Sequence, residues 1–384
     1  MIELRGIAWD HPRGYEPLIA LSEMYSEVHP EVRITWDVRS LKEFGDMPVE
    51  DLIGRYDLIT IDHPYMGQAH ANQLLLNLEP YLSSYVLHAH AEQSVGPGFE
   101  SYFFEGHLYA LPIDAAALVS AYRKDLVEQY QLTLPKTWAE LRLFYHEIPK
   151  SHAIAWPLCP TDLWCSFLTL CAQDKGSDFI RDFKVNEQAG ITALEELKFH
   201  LQYLHPDSIH WNPIQVLDRM GQEDEIIYSP YLFGYSNYAR EGYASKLVHF
   251  SNSPKNPQND ISTLLGGVGL AISAQCEGIK EAVDFVSYVA HPENQAGAYL
   301  QHAGQPGNLR AWKSKESNRL CNNFFYDTLE TLEKAYVRPQ HPGWNSFQEQ
   351  GADLLHKGLA GNEPSHAMMK QLNELYRSIL QHDR

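Results

Sequence analysis

The sequence predicts an α/β protein built as two domains of ordinary size, and three observations carry that reading. Apolar strand-like runs alternate with stretches of helical period in the first part of the chain, the pattern of βαβ units. A glycine pair, Gly266-Gly267, opens a short apolar strand from Val268 to Ile272 that leads into a helix. The length, 384 residues, exceeds one ordinary domain and suits two.

Residues 2–8 (IELRGIA) form the first expected strand, and the polar loop Trp9-Asp10-His11-Pro12-Arg13-Gly14 follows it. Leu18, Leu21, Tyr25 and Val28 then fall on one face of a helix. Val32, Ile34, Trp36 and Val38 alternate as in a half-buried strand. Residues 56–61 (YDLITI) are an apolar run bounded by Arg55 and by Asp62-His63-Pro64, as in a strand buried within a parallel sheet. Further on, Thr137 with Glu140 three residues later predicts a capping box and a helix start. Residues 189–204 read as an amphipathic helix, and SNSPKNPQND, 251–260, as a surface loop. After the glycine-pair strand, Ile279, Val283, Val286 and Val289 recur at helical spacing. His291-Pro292-Glu293 ends that helix and starts a second, which runs to the turn Gly304-Gln305-Pro306-Gly307. The C-terminal 70 residues read as helical, with Phe347, Leu354, Leu355 and Leu359 on one face and Gly361 as a stop.

Composition narrows the function classes. At 44% hydrophobic and 21% charged the chain is globular, with ample material for two cores. Thirty basic against 49 acidic residues give a formal charge of −19, which argues against nucleic acid and anionic membrane partners. Five cysteines (Cys159, Cys165, Cys171, Cys276, Cys321) are an odd number without a C-x-x-C pair, so buried free thiols are expected. No run approaches a membrane span. The start, MIELRGIAWDHP, has no basic opening, apolar stretch or small-residue cleavage site of a secretory signal. Two expectations follow: an export signal is removed from the mature chain, or the protein stays in the cytoplasm. The Walker lysine loop, the G-x-S-x-G elbow and H-E-x-x-H do not occur.

Several landmarks occur in a familiar order. NLEPYL (77–82) follows the buried strand. Gly106, Tyr109, Leu111-Pro112, Tyr122 and Lys124-Asp125 come next, then Pro135 and Thr137-Trp138-Ala139-Glu140-Leu141. The glycine-pair segment 262–312 and His341-Pro342-Gly343-Trp344 complete the series. Together they resemble the extracellular solute-binding proteins of ABC importers, family 1, the group that includes maltose and other sugar binders. The resemblance implies a two-lobed periplasmic-binding-protein-like fold of type II with the ligand cleft between the lobes. It places lobe one at 1–112 plus 264–312 and lobe two at 113–263 plus 313–384. It also implies an extracytoplasmic, monomeric binding protein without cofactor or metal, which closes like a hinge on a small polar ligand and hands it to ABC permease transmembrane subunits.

Candidate site residues follow from the strands and from the resemblance. In open α/β sheets, ligands bind beyond the carboxyl ends of the strands. The strands ending at Ala8 and Ile61 deliver Trp9, His11 and Arg13, and Asp62 and His63, to one such edge. A carboxylate accepts hydrogen bonds from ligand hydroxyls, an arginine grips a carboxylate, and an indole covers the apolar face of a sugar. Each also has a plainer role: Asp10 and His11 suit a helix-capping turn, and Pro12 and Pro64 suit loop starts. Two Asp-His pairs are usable metal ligands, but neither has a known metal spacing.

Asp114 lies at the crossing between lobes that the resemblance implies, and is either a cleft residue or a hinge carboxylate. Trp164 and Trp156 are candidates because relatives offer aromatics from this region; both also suit a core. Tyr231 lies in YSPYLFGY, where Pro230 and Gly234 argue against a regular helix and for a loop displaying that ring. Gly267 lets backbone approach a ligand or serves a hinge, and Arg310 follows the glycine-proline turn where relatives carry a polar residue. The ligand expected is a carbohydrate, and the cationic set His11, Arg13 and His63 adds a sugar acid as second choice. The rival class is a cytoplasmic enzyme or ligand sensor on the same fold, with the Asp-His pairs doing acid–base chemistry on a small polar or carboxylate substrate.

Overall fold

The computed structural model describes residues 1–382, which divide into two compact units. The first comprises Met1–Ala116, Gly266–Asn318 and Arg338–Asn345; the second comprises Ala117–Leu265, Arg319–Val337 and Ser346–Arg384.

In the first unit, strand β1 (Ile2–Trp9) pairs in parallel with β2 (Val32–Arg39) on one side and β3 (Leu58–Ile61) on the other. Strand Leu265–Ile272 lies antiparallel beside β3, and the first half of strand Ala110–Tyr122 follows it in sheet order. Helix α1 (Pro12–Val28) starts well before Leu18, the first residue of its predicted apolar face, because His11 caps it and Pro12 occupies its first position. It buries Leu18, Leu21 and Tyr25, the last against Phe285 at 5.3 Å between ring centroids. The short helix α2 (Leu41–Asp46) is opened by a capping box between Ser40 and Glu43. Helix Ile279–Ala290 turns Ala282, Val283, Val286 and Val289 inward as its period predicts. His291 then caps the Pro292 start of the next element, which continues through a π turn at Gln295–Tyr299.

The last segment, Arg338–Asn345, docks against the loop after β3 and against helix α3 (Met66–Ala71). The backbone there is so close that a Cβ on Gly67 would stand 1.7 Å from the Gln340 carbonyl oxygen. Gln340 donates to the His63 carbonyl at 3.0 Å, and Asn345 to the Gln68 side chain at 3.2 Å.

In the second unit, the later half of Ala110–Tyr122 pairs antiparallel with strands Ile226–Phe233 and His249–Ser251. Ile226–Phe233 also pairs in parallel with Ala153–Ile154. The core gathers Trp156, Trp164, Phe167, Tyr228 and Tyr231, each under 2% exposed. Two sequence expectations need correction here. YSPYLF is strand, not loop: Pro230 sits at a register shift between Ser229 and Leu232, where a missing N–H breaks no ladder bond. Thr137 does cap the helix Trp138–Phe144, but Glu140 reaches back to the Lys136 N–H at 2.7 Å and not to that of Thr137, so the box is half formed. All five cysteines are free thiols, four of them buried. Among the described residues no helix is long and apolar enough to cross a membrane.

Candidate functional site

Because β1, β2 and β3 run in parallel, their carboxyl ends at Trp9, Arg39 and Ile61 reach one edge of the first unit. Trp9 and Arg39 are register partners, and the Asp10 N–H donates to the Arg39 carbonyl at 2.7 Å. Five of the predicted residues therefore stand at this edge: Trp9 as the last residue of β1, His11 and Arg13 where the chain turns into α1, and Asp62 and His63 directly after β3. Trp9 is buried, with its ring 5.4 Å from that of Phe44 in α2.

The charged members of this set are held by protein partners. His11 is extended and its Nδ1 accepts from the Arg13 N–H at 3.0 Å, an N-cap that turns the chain into α1. That turn aims the Arg13 side chain at Asp114, which it grips bidentately: Nε to Oδ2 at 2.7 Å and Nη2 to Oδ1 at 2.5 Å. The two side chains are 5% and 0% exposed, so this is a fully buried ion pair. Gly267 lies beside it with φ at +122°, and a Cβ there would stand 2.5 Å from the Asp114 carbonyl oxygen. Glycine at this position is a requirement of backbone packing.

After β3, the Asp62 carboxylate accepts from the His63 N–H at 2.8 Å and from Arg338 Nη2 at 2.5 Å. Its Oδ1 lies 3.1 Å from His63 Nδ1, and the Arg338 N–H donates to His63 Nε2 at 3.3 Å. His63 is 1% exposed, whereas the Asp62 side chain keeps 18% of its surface open.

These surroundings fix protonation states. Burial would raise the Asp62 carboxyl, but Arg338 and His63 outweigh it and hold the group near 2. Burial, then the Arg338 charge, lower the His63 imidazole against the pull of Asp62. Burial and the Arg13 charge push His11 down to about 4. Burial raises Asp114, and Arg13 opposes the shift. Both imidazoles are thus disfavoured as cations, and Asp62 is a fixed, partly open anion.

The other predicted residues lie apart from this edge. Arg310, in the first unit, is exposed and makes no ion pair among the described residues. In the second unit, Trp164 is fully buried in the helix Pro160–Lys175, against Phe167 and Phe347. Tyr231 is 1% exposed, packs at a tilt against Trp156 with 4.7 Å between ring centroids, and its hydroxyl donates to the Pro254 carbonyl. Among the described residues no three of His, Cys, Asp and Glu are grouped to hold a metal.

Sequence reasoning missed Arg39 and Arg338. Arg39 carries a usable signal, since it closes an alternating strand whose carboxyl end joins the same edge. Arg338 carries none: its partner Asp62 is 276 residues away.

The fold matches solved structures over its whole length. A solute-binding protein from Agrobacterium radiobacter K84, solved with ribitol, superposes with a TM-score of 0.85, covering 98% of each chain at 18% identity. The fold is that of an ABC-transporter solute-binding protein. The maltose-bound protein MalE3 of T. maritima superposes with a TM-score of 0.84 over 99% of this chain and 100% of its own, at 16% identity. In sequence, residues 27–153 match the family described as bacterial extracellular solute-binding protein. The mannitol-binding protein of Pseudomonas aeruginosa is 31% identical over 129 residues, 32% of this chain and 29% of that protein. That match spans under a third of the relative's own length. The fold class and the resemblance read from the sequence are both borne out.

Proposed function

We propose that this chain is the solute-binding component of an ABC importer, with a small polyhydroxylated molecule, a polyol or sugar, as ligand. The observation that carries the reading is Asp62, an anion held ionised by Arg338 and still 18% open at the carboxyl edge of a parallel sheet. A fixed carboxylate there accepts hydrogen bonds from hydroxyl groups without first losing a proton. The polyol and sugar ligands of the similarly folded proteins support the same class. A binding role also suits the two imidazoles, which are bonded to neighbouring backbone and disfavoured as cations, a poor state for proton transfer near neutrality. The partner in this reading is an ABC permease, and the place of work is outside the cytoplasm.

Calorimetric titration and thermal shift with ribitol, mannitol and maltose test the proposal, because ligand binding to the native state raises its apparent stability. Asp62→Asn, which keeps the shape and removes the anion, should weaken binding about tenfold or more. Failure of every polyol and sugar to bind would refute it.

A further inference from the structure

Four arginines are buried among the described residues: Arg13, Arg39, Arg123 and Arg338. Three of them face carboxylates. Arg13 has Asp114, Arg338 has Asp62, and Arg123 has both Asp125 at 2.6 Å and Asp224 at 2.8 Å. Arg39 is 7% exposed and makes no ion pair among the described residues. Its Nη2 donates to the Thr60 carbonyl at 2.7 Å, and its Nε is buried without a hydrogen-bond partner. Its guanidinium lies 5.2 Å from the Phe44 ring centroid.

A buried cation without a counter-charge is costly, and chains normally supply one. Glu43 acts on it only at a distance, without a direct ion pair: it is exposed, and its carboxylate accepts from the Ser40 N–H at 2.8 Å in the capping box of α2. Burial lowers Arg39 only to about 10, so it is charged throughout the physiological range. Its position is equally specific. Arg39 ends β2, and its side chain crosses the end of β1 to reach the carbonyl of Thr60 on β3. The guanidinium therefore sits on the carboxyl edge that carries Trp9 and Asp62, beside the Phe44 ring, which in turn packs on Trp9.

We propose that Arg39 is an anion anchor for the ligand, and that the ligand is a polyol bearing one carboxylate, an aldonic or uronic acid. This rests on the solute-binding reading above. A guanidinium with an unused Nε edge matches a carboxylate bidentately, and admission of that carboxylate requires the Phe44 ring on α2 to move aside. A phosphate ester carries nearly two charges and meets a protein of formal charge −19 with a single unpaired buried arginine, a poorer match.

Calorimetric titration of the full chain with matched pairs tests this: ribitol against ribonate, mannitol against mannonate, with mannitol 1-phosphate as a third arm. The acid should bind about tenfold or more tightly than its alcohol. Arg39→Gln should abolish that preference while the alcohol still binds. Arg39→Lys, which keeps the charge and loses the fork, should retain only part of it, and serves alone should the glutamine variant fail to fold. An alcohol that binds as tightly as its acid, a preference unchanged in both variants, or tightest binding of the phosphate each overturns the anchor and leaves the solute-binding reading standing. Binding of none of these ligands overturns the anchor, and failure of maltose and other sugars as well overturns both.

Discussion

The buried pair between Arg13 and Asp114 offers the sharpest test of the first unit. Asp114→Leu removes the carboxylate and leaves a guanidinium that is 5% exposed without its bidentate partner. Removing one partner of a buried pair costs about 3–5 kcal/mol, chiefly because the survivor is buried unpaired. In a unit of about 180 residues, each kcal/mol moves the melting point by about 2–4 °C, so a fall on the order of 10 °C is expected. The double variant Arg13→Met with Asp114→Leu should recover most of that loss, since apolar replacements of similar volume often match a buried ion pair. Differential scanning calorimetry of the three variants and the parent chain supplies the comparison. A single variant melting within about 2 °C of the parent would refute the reasoning, as would a double variant no better than the single.

Two buried groups, one in each unit, should contribute pH slopes of opposite sign. His11 titrates near 4 when folded against 6.5 when exposed, so its contribution is present above 6.5 and disappears as pH falls to 4, a loss of about 3 kcal/mol. His11→Asn keeps a side-chain cap and should flatten that slope in denaturant titrations run from pH 7 to 4. Asp162 is raised to about 7, mainly by burial, and among the described residues its carboxylate accepts only from the Cys159 thiol, at 3.0 Å. Its stabilising proton is present below about 4 and lost as pH rises through 7, so Asp162→Asn should raise the melting point at pH 8 and leave it unchanged at pH 4. Gly267→Ala forces a side chain onto a backbone at φ +122° and against the Asp114 carbonyl, and should cost about 2 kcal/mol or more in chemical denaturation.

Local chemistry made much of this molecule legible. Strand β3 and helix Ile279–Ala290 follow from runs and periods that depend only on near neighbours. The shared edge of the loops after β1 and β3 follows from parallel pairing, which the alternation of elements already implies. The state of each site residue was not legible, because it depends on partners fixed by the whole fold. Arg13 and Asp114 were named separately, and nothing in the 100 residues between them says that they grip each other. Tyr231 and Trp164 show the converse failure. An aromatic ring next to a proline, or a turn away from one, looks the same in sequence whether it faces solvent or fills a core, and only packing decides that both are buried.

The docking of Arg338–Asn345 in the first unit has a consequence for synthesis. Asp62 leaves the ribosome 276 residues before the arginine that neutralises it. At about 5–20 residues per second that interval is roughly 14–55 s. Until it ends, the pocket that later holds the Arg338 guanidinium stands unfilled, and the nascent first unit waits on the synthesis of residues 338–345. Contacts of such long sequence separation slow folding. Ribosome-bound chains truncated before residue 338 should therefore be cut readily by protease within residues 1–116, and chains extended past 345 should resist.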